Sequence, residues 1–125
     1  MGRGLTLDTG ALIALEQKRK RMKEVLAAAR VLRRPITVPA VVVAEWWRGQ
    51  RGPIARLLDG VIIEPLHERL ARIAGEALAA TRGSNAIDAL VVASAAQRGD
   101  VVYTSDIDDL TRLASHFPEV RILRA

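Results

Sequence analysis

The sequence predicts an α/β fold in which about five parallel strands carry helices on both faces. Short apolar runs alternate with segments whose apolar residues recur at helical spacing, and Gly and Pro separate these units. Strands and helices that alternate singly along a chain are typical of a parallel sheet covered by helices. Since 125 residues suffice for one hydrophobic core, we expect a single domain over residues 1–125.

The first half of the chain is predicted to hold two strands and the helices that follow them. Leu5–Leu7 and residues 36–38 are short β-prone runs. Apolar residues between positions 12 and 32 keep helical spacing with one break. Residues 40–47 contain three valines, which favour a strand, but follow Pro39, which favours a helix start, so both interpretations stay open.

The second half is predicted to contain three strands and four helices. The strands are expected at residues 61–64, 101–103 and 120–123. Short helices are expected at 54–58 and 107–113, and longer ones around 70–78 and 87–95. Gly83 and Gly99 are expected to end the two longer helices, because glycine adopts the left-handed conformation that follows many helices.

Composition excludes several classes of protein. The chain has no cysteine, which excludes disulfides, thiolate metal sites and a cysteine nucleophile. No apolar run approaches the roughly 20 residues of a membrane span, and Asp8 interrupts any signal-peptide core, so we expect a cytoplasmic protein. The net charge of +5 favours a polyanion such as nucleic acid as partner, or serves solubility alone. Residues 18–23 form the one strong basic run, which is most often a solvated helix face.

Acidic residues lie where strands of the predicted sheet end. Asp8 directly follows the first strand, and Asp106 closely follows the fourth. Because ligands of parallel sheets bind at the carboxyl ends of strands, these two carboxylates are expected to converge. Asp88, in the first turn of a predicted helix, and Glu45, after the second strand, are placed to reach the same edge. Asp108 and Asp109 are further candidates.

Each acid also has a purely structural interpretation. Residues 85–88 resemble a helix-capping pattern, and Asp106 is placed as the N-cap of the next helix. Glu45 is equally well a surface acid. Asp8 fits a capping role less well, because it follows an apolar strand and precedes Thr-Gly-Ala.

Taken together, the acids indicate a cation site. Three or four carboxylates on one edge repel each other unless a divalent cation neutralises them. Oxygen ligands without His or Cys suit Mg²⁺ or Mn²⁺, and both His67 and His116 are isolated from the set. Hydrolysis of a phosphodiester is the chemistry that such a site serves.

Four segments contain these acids: LDTGALIA at residues 7–14, VPAVVVAE at 38–45, NAIDALVVA at 85–93, and YTSD with DDL at 103–110. They resemble the motifs of PIN domains, and in particular those of the VapC toxins of type II toxin–antitoxin systems. All four occur in family order and span nearly the whole chain. In the third motif, Ser84 and Asn85 stand where many relatives carry a threonine, which leaves the contacts supporting Asp88 open.

The resemblance implies a PIN-like fold and a Mg²⁺- or Mn²⁺-dependent endoribonuclease that cleaves RNA. It also implies a homodimer neutralised by a cognate antitoxin protein. By motif position, the acids that would be both catalytic and metal-binding are Asp8, Glu45, Asp88 and Asp106. Thr9 and Thr104 would be supporting hydroxyls, and Asp109 would have an outer role.

Contacts with RNA are predicted from sequence proximity to the acidic segments. Arg48, Arg51 and Arg82 are candidates for phosphate binding, because guanidinium groups bind phosphates through two hydrogen bonds. Trp46 and Trp47 are either base-stacking residues or, as we favour, one core residue and one residue at a dimer or antitoxin contact.

Other functions are weighed against this prediction. Phosphoryl transfer through an aspartate normally needs a lysine late in the chain, and this sequence has none after Lys23. A DNA-binding antitoxin is disfavoured because no such module is recognisable. A catalytically weak or inactive PIN-like domain that binds RNA or a protein partner remains the alternative.

Overall fold

The structure, a computed structural model, describes residues 3–125. These residues form one five-stranded parallel sheet and six α-helices. The strands are β1 (Leu5–Leu7), β2 (Ile36–Pro39), β3 (Ile62–Glu64), β4 (Val101–Thr104) and β5 (Arg121–Arg124). The helices are α1 (Thr9–Glu16), α2 (Lys20–Val31), α3 (Ala40–Trp46), α4 (Glu68–Thr81), α5 (Ala86–Arg98) and α6 (Ile107–Ala114). A 3₁₀ helix spans Gly52–Arg56. The predicted fold class is confirmed.

The strand order is β3-β2-β1-β4-β5, with every neighbouring pair parallel. From β1 the chain moves outward through β2 to β3, and then returns to β4 on the other side of β1. Crossovers between parallel strands are right-handed, so this reversal places α1–α3 on one face and α4–α6 on the other. Accordingly, α1 packs on α2 and α3, while α5 packs on α4 and α6.

The reversal between β1 and β4 creates the position for a binding site. The chain leaves these adjacent strands toward opposite faces, so a crevice opens beyond their carboxyl ends. All three residues of β1 are buried, and α5 is buried from Ala89 to Ala95, which fixes the floor of this region.

Three local predictions are resolved by the structure. Residues 40–46 form the helix α3, with Val42 and Trp46 buried and Pro39 at the N-cap. The predicted break lies between α1 and α2, where Lys18 adopts a positive φ of 58°. The third and fifth strands begin one residue later than predicted, at Ile62 and Arg121.

The prediction that Gly83 ends α4 is wrong by one residue. Arg82 takes the left-handed conformation with φ of 55°, and the N–H of Gly83 donates to Leu78 O at 3.1 Å. A Cβ on Gly83 would lie 3.1 Å from Leu78 and 3.3 Å from Leu113, tighter than ordinary contact. Glycine at this position therefore allows close packing of α4 on α6, whereas Gly99 caps α5 as predicted.

A buried polar network joins the sheet to α5. The Arg98 guanidinium donates to Glu64 at 2.6 Å, Asp100 at 2.9 Å, Thr6 at 2.9 Å and Ser94 at 3.0 Å. Asp100 is only 3% exposed, and the Thr6 hydroxyl also donates to it. One side chain thereby connects β1, β3, α5 and the start of β4.

No helix in residues 3–125 is long and apolar enough to cross a membrane.

Candidate functional site

A groove at the carboxyl edge of the sheet brings together all four predicted acids. They come from four different elements: the end of β1, α3, α5 and the loop between β4 and α6. The residues lining this acidic groove are Asp8, Thr9, Gly10, Ile13, Glu45, Asn85, Ile87, Asp88, Val91, Ser105 and Asp106. Residues almost 100 positions apart in the chain therefore share one surface.

Asp8 is fixed at the base of the groove. It is the N-cap of α1, and the N–H of Ala11 donates to its carboxylate at 2.9 Å. The Thr104 hydroxyl donates to its other oxygen. Burial raises the pKa of Asp8 even though these hydrogen bonds act in the opposite direction. Asp8 thus caps a helix and also faces the groove.

Thr104 connects Asp8 to the loop that carries Asp106. Its hydroxyl is fully buried, donates to Asp8 and accepts the N–H of Asp106 at 2.8 Å. The orientation of the Thr104 hydroxyl is therefore defined by both hydrogen bonds, which link Asp8 to the backbone of Asp106.

Thr9 links α1 to α3. It is the first residue of α1, and its hydroxyl donates to the carboxylate of Glu45 near the end of α3. Glu45 is exposed, so this hydrogen bond is the contact that directs its carboxylate toward the groove. Both threonines expected to support acids contact those acids.

Asp88 has a carboxylate oxygen with no hydrogen-bond partner in the described chain. Asn85 provides the N-cap of α5, accepting the N–H of Asp88 at 3.0 Å, while Oδ2 of Asp88 is buried and unpaired. Burial, followed by the negative charges of Asp106 and Asp8, raises the pKa of Asp88 to about 6. Helix capping therefore explains the role of the Asn85 side chain, but it does not explain why the carboxylate of Asp88 is partly buried without a partner.

Asp106 and Asp109 complete the acidic surface. Asp106 occupies the N-cap position of α6, but its side chain makes no capping hydrogen bond. One carboxylate oxygen from each of Asp88, Asp106 and Asp109 lies within 4.8 Å of the others. Partial burial and then the charge of Asp109 raise the pKa of Asp106. Asp109 thus belongs to the tightest group of acids, closer than an outer role would require.

This set of donors fits a hard divalent cation. Its members are carboxylates, which Mg²⁺ and Mn²⁺ prefer as ligands, and one oxygen of Asp88 is buried without a hydrogen-bond partner. Burial is the main cause of the raised pKa values of Asp8, Asp88 and Asp106, and the negative charges of neighbouring acids raise them further. His67 instead caps α4 through its ring nitrogen, and His116 packs edge-on against Phe117.

The three arginines predicted to bind RNA do not line the acidic groove. Arg48 folds onto its own helix end and donates to Trp47 O at 2.7 Å and Ala44 O at 3.2 Å. Arg51 and Arg82 lie on neighbouring loops, outside the groove. Their contact with RNA stays a prediction.

The two tryptophans have different environments. Trp46 is 4% exposed, and its ring N–H donates to Glu16 at 3.2 Å, as expected of the core member of the pair. Trp47 is 40% exposed. A role of Trp47 in a protein contact stays a prediction.

Gly10 is a structural requirement of the site that sequence reasoning did not identify. A Cβ at this position would lie 2.1 Å from Ser105 Oγ and 2.9 Å from the backbone nitrogen of Ser105. Only glycine lets α1 approach the β4–α6 loop this closely. The available signal was its position in the motif, directly after Asp8 and Thr9.

Comparisons with known proteins agree with this architecture. The family model of the PIN domain matches residues 5–115. No curated protein matches the chain.

Three solved structures have similar folds. VapBC2 from Rickettsia felis, bound to a promoter DNA fragment, is 15% identical with a TM-score of 0.74 and covers 97% of this chain and 98% of that chain. DNA-bound VapBC from Salmonella typhimurium is 18% identical with a TM-score of 0.71, over 98% of each chain. FitAcB from Neisseria gonorrhoeae is 19% identical with a TM-score of 0.66, over 95% and 96%. At these identities the likeness establishes the fold.

Proposed function

The chain belongs to the PIN domain family, and from this premise we propose that it is a metal-dependent endoribonuclease acting as the toxin of a toxin–antitoxin pair. The observation that carries the proposal is the convergence of Asp8, Glu45, Asp88 and Asp106 in one groove at the switch between β1 and β4. Four separate motifs contribute one acid each, which chance placement of capping residues does not account for.

Mg²⁺ or Mn²⁺ would be held by Asp88 and Asp106, with Asp109 beside them and with Asp8 and Glu45 facing the same groove. When bound, such a cation lowers the pKa of water and stabilises negative charge on a phosphate.

Residues of the chain itself would prepare this site. Thr104 keeps Asp8 in place through its hydroxyl, and Thr9 does the same for Glu45. Without a cation, Asp88 retains a proton more readily than an ordinary aspartate, so cation binding would displace that proton. Ser105 and Asn85 place exposed polar groups on the rim, where a phosphate would pass.

The toxin role is supported by the similar structures. Chains named as VapBC and FitAcB, and one described as a toxin–antitoxin complex from Klebsiella pneumoniae, match this chain over 94% or more of both lengths. A cognate antitoxin and a second copy of the chain are accordingly the proposed protein partners, and Trp47 is a candidate contact residue.

Cleavage of a mixed cellular RNA pool tests the proposed activity. Wild type and Asp8→Asn are compared in Mg²⁺, in Mn²⁺ and in EDTA, with circular dichroism to verify that both are folded. We expect discrete fragments that require metal and are absent with Asp8→Asn. Folded wild type that binds RNA without cutting it in either metal would favour the inactive binding module instead.

A further inference from the structure

The acidic groove continues on both sides into neighbouring clefts. On one side, Asn85 and Asp88 also line a cleft whose other walls are Gly83, Ser84, Asp109, Arg112 and Leu113. On the other side, Gly10, Ile13 and Ser105 also line a cleft formed with Ala14, Gln17, Arg19 and Ala125. The outer clefts share different residues with the acidic groove, so the three clefts adjoin one another and are together called the trough, with an arginine in each outer part.

Arg112 is the cation of the first outer part. It is exposed on α6, one helical turn from Asp108 and Asp109, a spacing that permits ion pairs. Within residues 3–125, however, its guanidinium pairs with neither acid and makes no hydrogen bond. Its donors are therefore available to a ligand lying in the trough.

Arg19 occupies the second outer part in a defined orientation. Its Nε donates to Gln17 Oε1 at 3.1 Å, and both side chains line the cleft between α1 and Ala125. Arg19 belongs to the basic run of residues 18–23. One of its lysines, Lys20, contacts Glu24 at 3.8 Å, but both side chains are largely exposed and this pair neutralises little.

We infer that this trough is the track of a single RNA strand, with Arg112 and Arg19 binding backbone phosphates on opposite sides of the bond presented to the acids. The inference rests on the proposed function. The central carboxylates repel a polyanion wherever a cation does not neutralise them, so arginines placed beyond them along the strand supply attraction that the acids cannot. The trough has an arginine in each outer part.

Binding of a fluorescein-labelled single-stranded RNA of mixed sequence tests the track. Fluorescence polarisation is measured over a range of salt concentrations in Ca²⁺, with gels to verify that the RNA stays intact. The proteins are wild type, Arg112→Gln, Arg19→Gln, the double variant and Arg30→Gln. Arg30 is the matched control, an exposed arginine in the last turn of α2, outside the three clefts of the trough.

We expect Arg112→Gln and Arg19→Gln each to weaken RNA binding about three- to tenfold and to reduce the slope of log K against log salt by about 0.7. In the double variant the reduction in slope should be about twice as large. Arg30→Gln should have the affinity and the slope of wild type. A merely structural role of either arginine would not change the slope. On an RNA that the enzyme cleaves, KM should rise more than kcat falls, because the proposal places both arginines on phosphates that flank the reacting one.

Failure of the track and failure of the proposed function give different results. If wild type binds and cuts RNA but the two variants bind with the affinity and slope of Arg30→Gln, the track is wrong and the proposed function stands. If folded wild type binds no RNA at any salt concentration, the proposed function fails and the track fails with it.

Discussion

At the scale of single residues, two buried threonines of the sheet have opposite effects on the stability of the fold. Thr104 is fully buried and satisfies two groups, the carboxylate of Asp8 and the N–H of Asp106. Thr37 is 1% exposed, yet its hydroxyl has no hydrogen-bond partner in the described chain. An unpaired buried hydroxyl destabilises a fold, whereas one that satisfies a buried carboxylate stabilises it.

The same substitution should therefore change stability in opposite directions. Thr104→Val is expected to cost about 1–3 kcal/mol and to lower RNA cleavage, because Asp8 loses a hydrogen bond. Thr37→Val is expected to raise stability by about 1 kcal/mol and leave cleavage unchanged. Urea unfolding and cleavage assays measure both effects. Destabilisation by Thr37→Val would show that its hydroxyl has a partner after all, such as a buried water.

Asp88 predicts how the stability of the metal-free protein depends on pH. Its pKa of about 6 in the folded state exceeds the ordinary value of 3.8, so the folded state binds the proton more tightly than the unfolded state does. Stability should therefore fall as pH rises from about 4 to about 7 and then level off. Taken in full, the difference between the two pKa values corresponds to about 3 kcal/mol, and solvent screening at this partly exposed site lowers the contribution of Asp88 to about 2 kcal/mol.

Urea unfolding in EDTA across this pH range measures that dependence. In Asp88→Asn the unfolding free energy should depend less steeply on pH than in wild type. Part of the dependence should remain, because burial also raises the pKa values of Asp8 and Asp106. Glu76→Gln, an exposed acid on α4 outside the groove, is the control and should leave the curve unchanged. If the unfolding free energy of Asp88→Asn changed with pH as steeply as that of wild type, Asp88 would not be a source of the pH dependence.

At the scale of elements, the approach of α1 to the β4–α6 loop defines the shape of the site. Gly10 lies in α1, where alanine is normally favoured by about 1 kcal/mol. A methyl group there meets the backbone and side chain of Ser105. The loop that carries Asp106 would then have to move away from Asp8.

Substitution of two helical glycines by alanine separates these effects. Gly10→Ala should destabilise the protein by about 1–3 kcal/mol, because the loop must shift, and should strongly reduce cleavage. Gly75→Ala in α4 is the control, since a Cβ there would have no neighbour within 4 Å, and should stabilise by about 0.5–1 kcal/mol. Thermal unfolding with cleavage assays distinguishes the two. A Gly10→Ala variant with wild-type cleavage would mean that the loop tolerates displacement.

At the scale of the whole molecule, Arg98 ties elements from both halves of the chain. Arg98→Met would leave Glu64 and Asp100 without their cation in a largely buried region. We expect a loss of about 3 kcal/mol in unfolding free energy, measured in urea. If Asp100→Asn restores part of the lost unfolding free energy in the Arg98→Met background, the unpaired charge of Asp100 causes that part of the loss. If the effects of the two substitutions on the unfolding free energy are strictly additive, this explanation is wrong.

Cation binding should also act on the whole fold. Saturating Mg²⁺ or Mn²⁺ is expected to raise Tm by several degrees, because a ligand at about 100 times its Kd stabilises the folded state by about 2.7 kcal/mol. Differential scanning fluorimetry measures the shift, and the variant Asp88→Asn combined with Asp106→Asn should largely lose it. An unchanged wild-type Tm would argue against a preformed cation site.

Much of this fold was predictable because local physics determines it. Buried short strands and amphipathic helices differ in their apolar spacing, so the alternation of elements and the break before α2 follow from the chain. Residues 40–46 were ambiguous because valine favours a strand, while burial of Val42 and Trp46 on one helical face favours the helix. The end of α4 was misplaced by one residue because Arg82, rather than the glycine that follows it, adopts the left-handed conformation.

The sequence by itself determined the α/β class, the membership of the acids in four ordered motifs and the excess of positive charge. Only the tertiary structure decided that Asp109 joins the closest group of acids and that Arg112 and Arg19, rather than Arg48, line the trough. The physical reason is that the periodicity of apolar residues specifies structure over only a few residues, whereas the convergence of distant acids depends on the order of strands in the sheet. The placement of β4 beside β1 brings residue 106 to residue 8, and no local pattern encodes that adjacency.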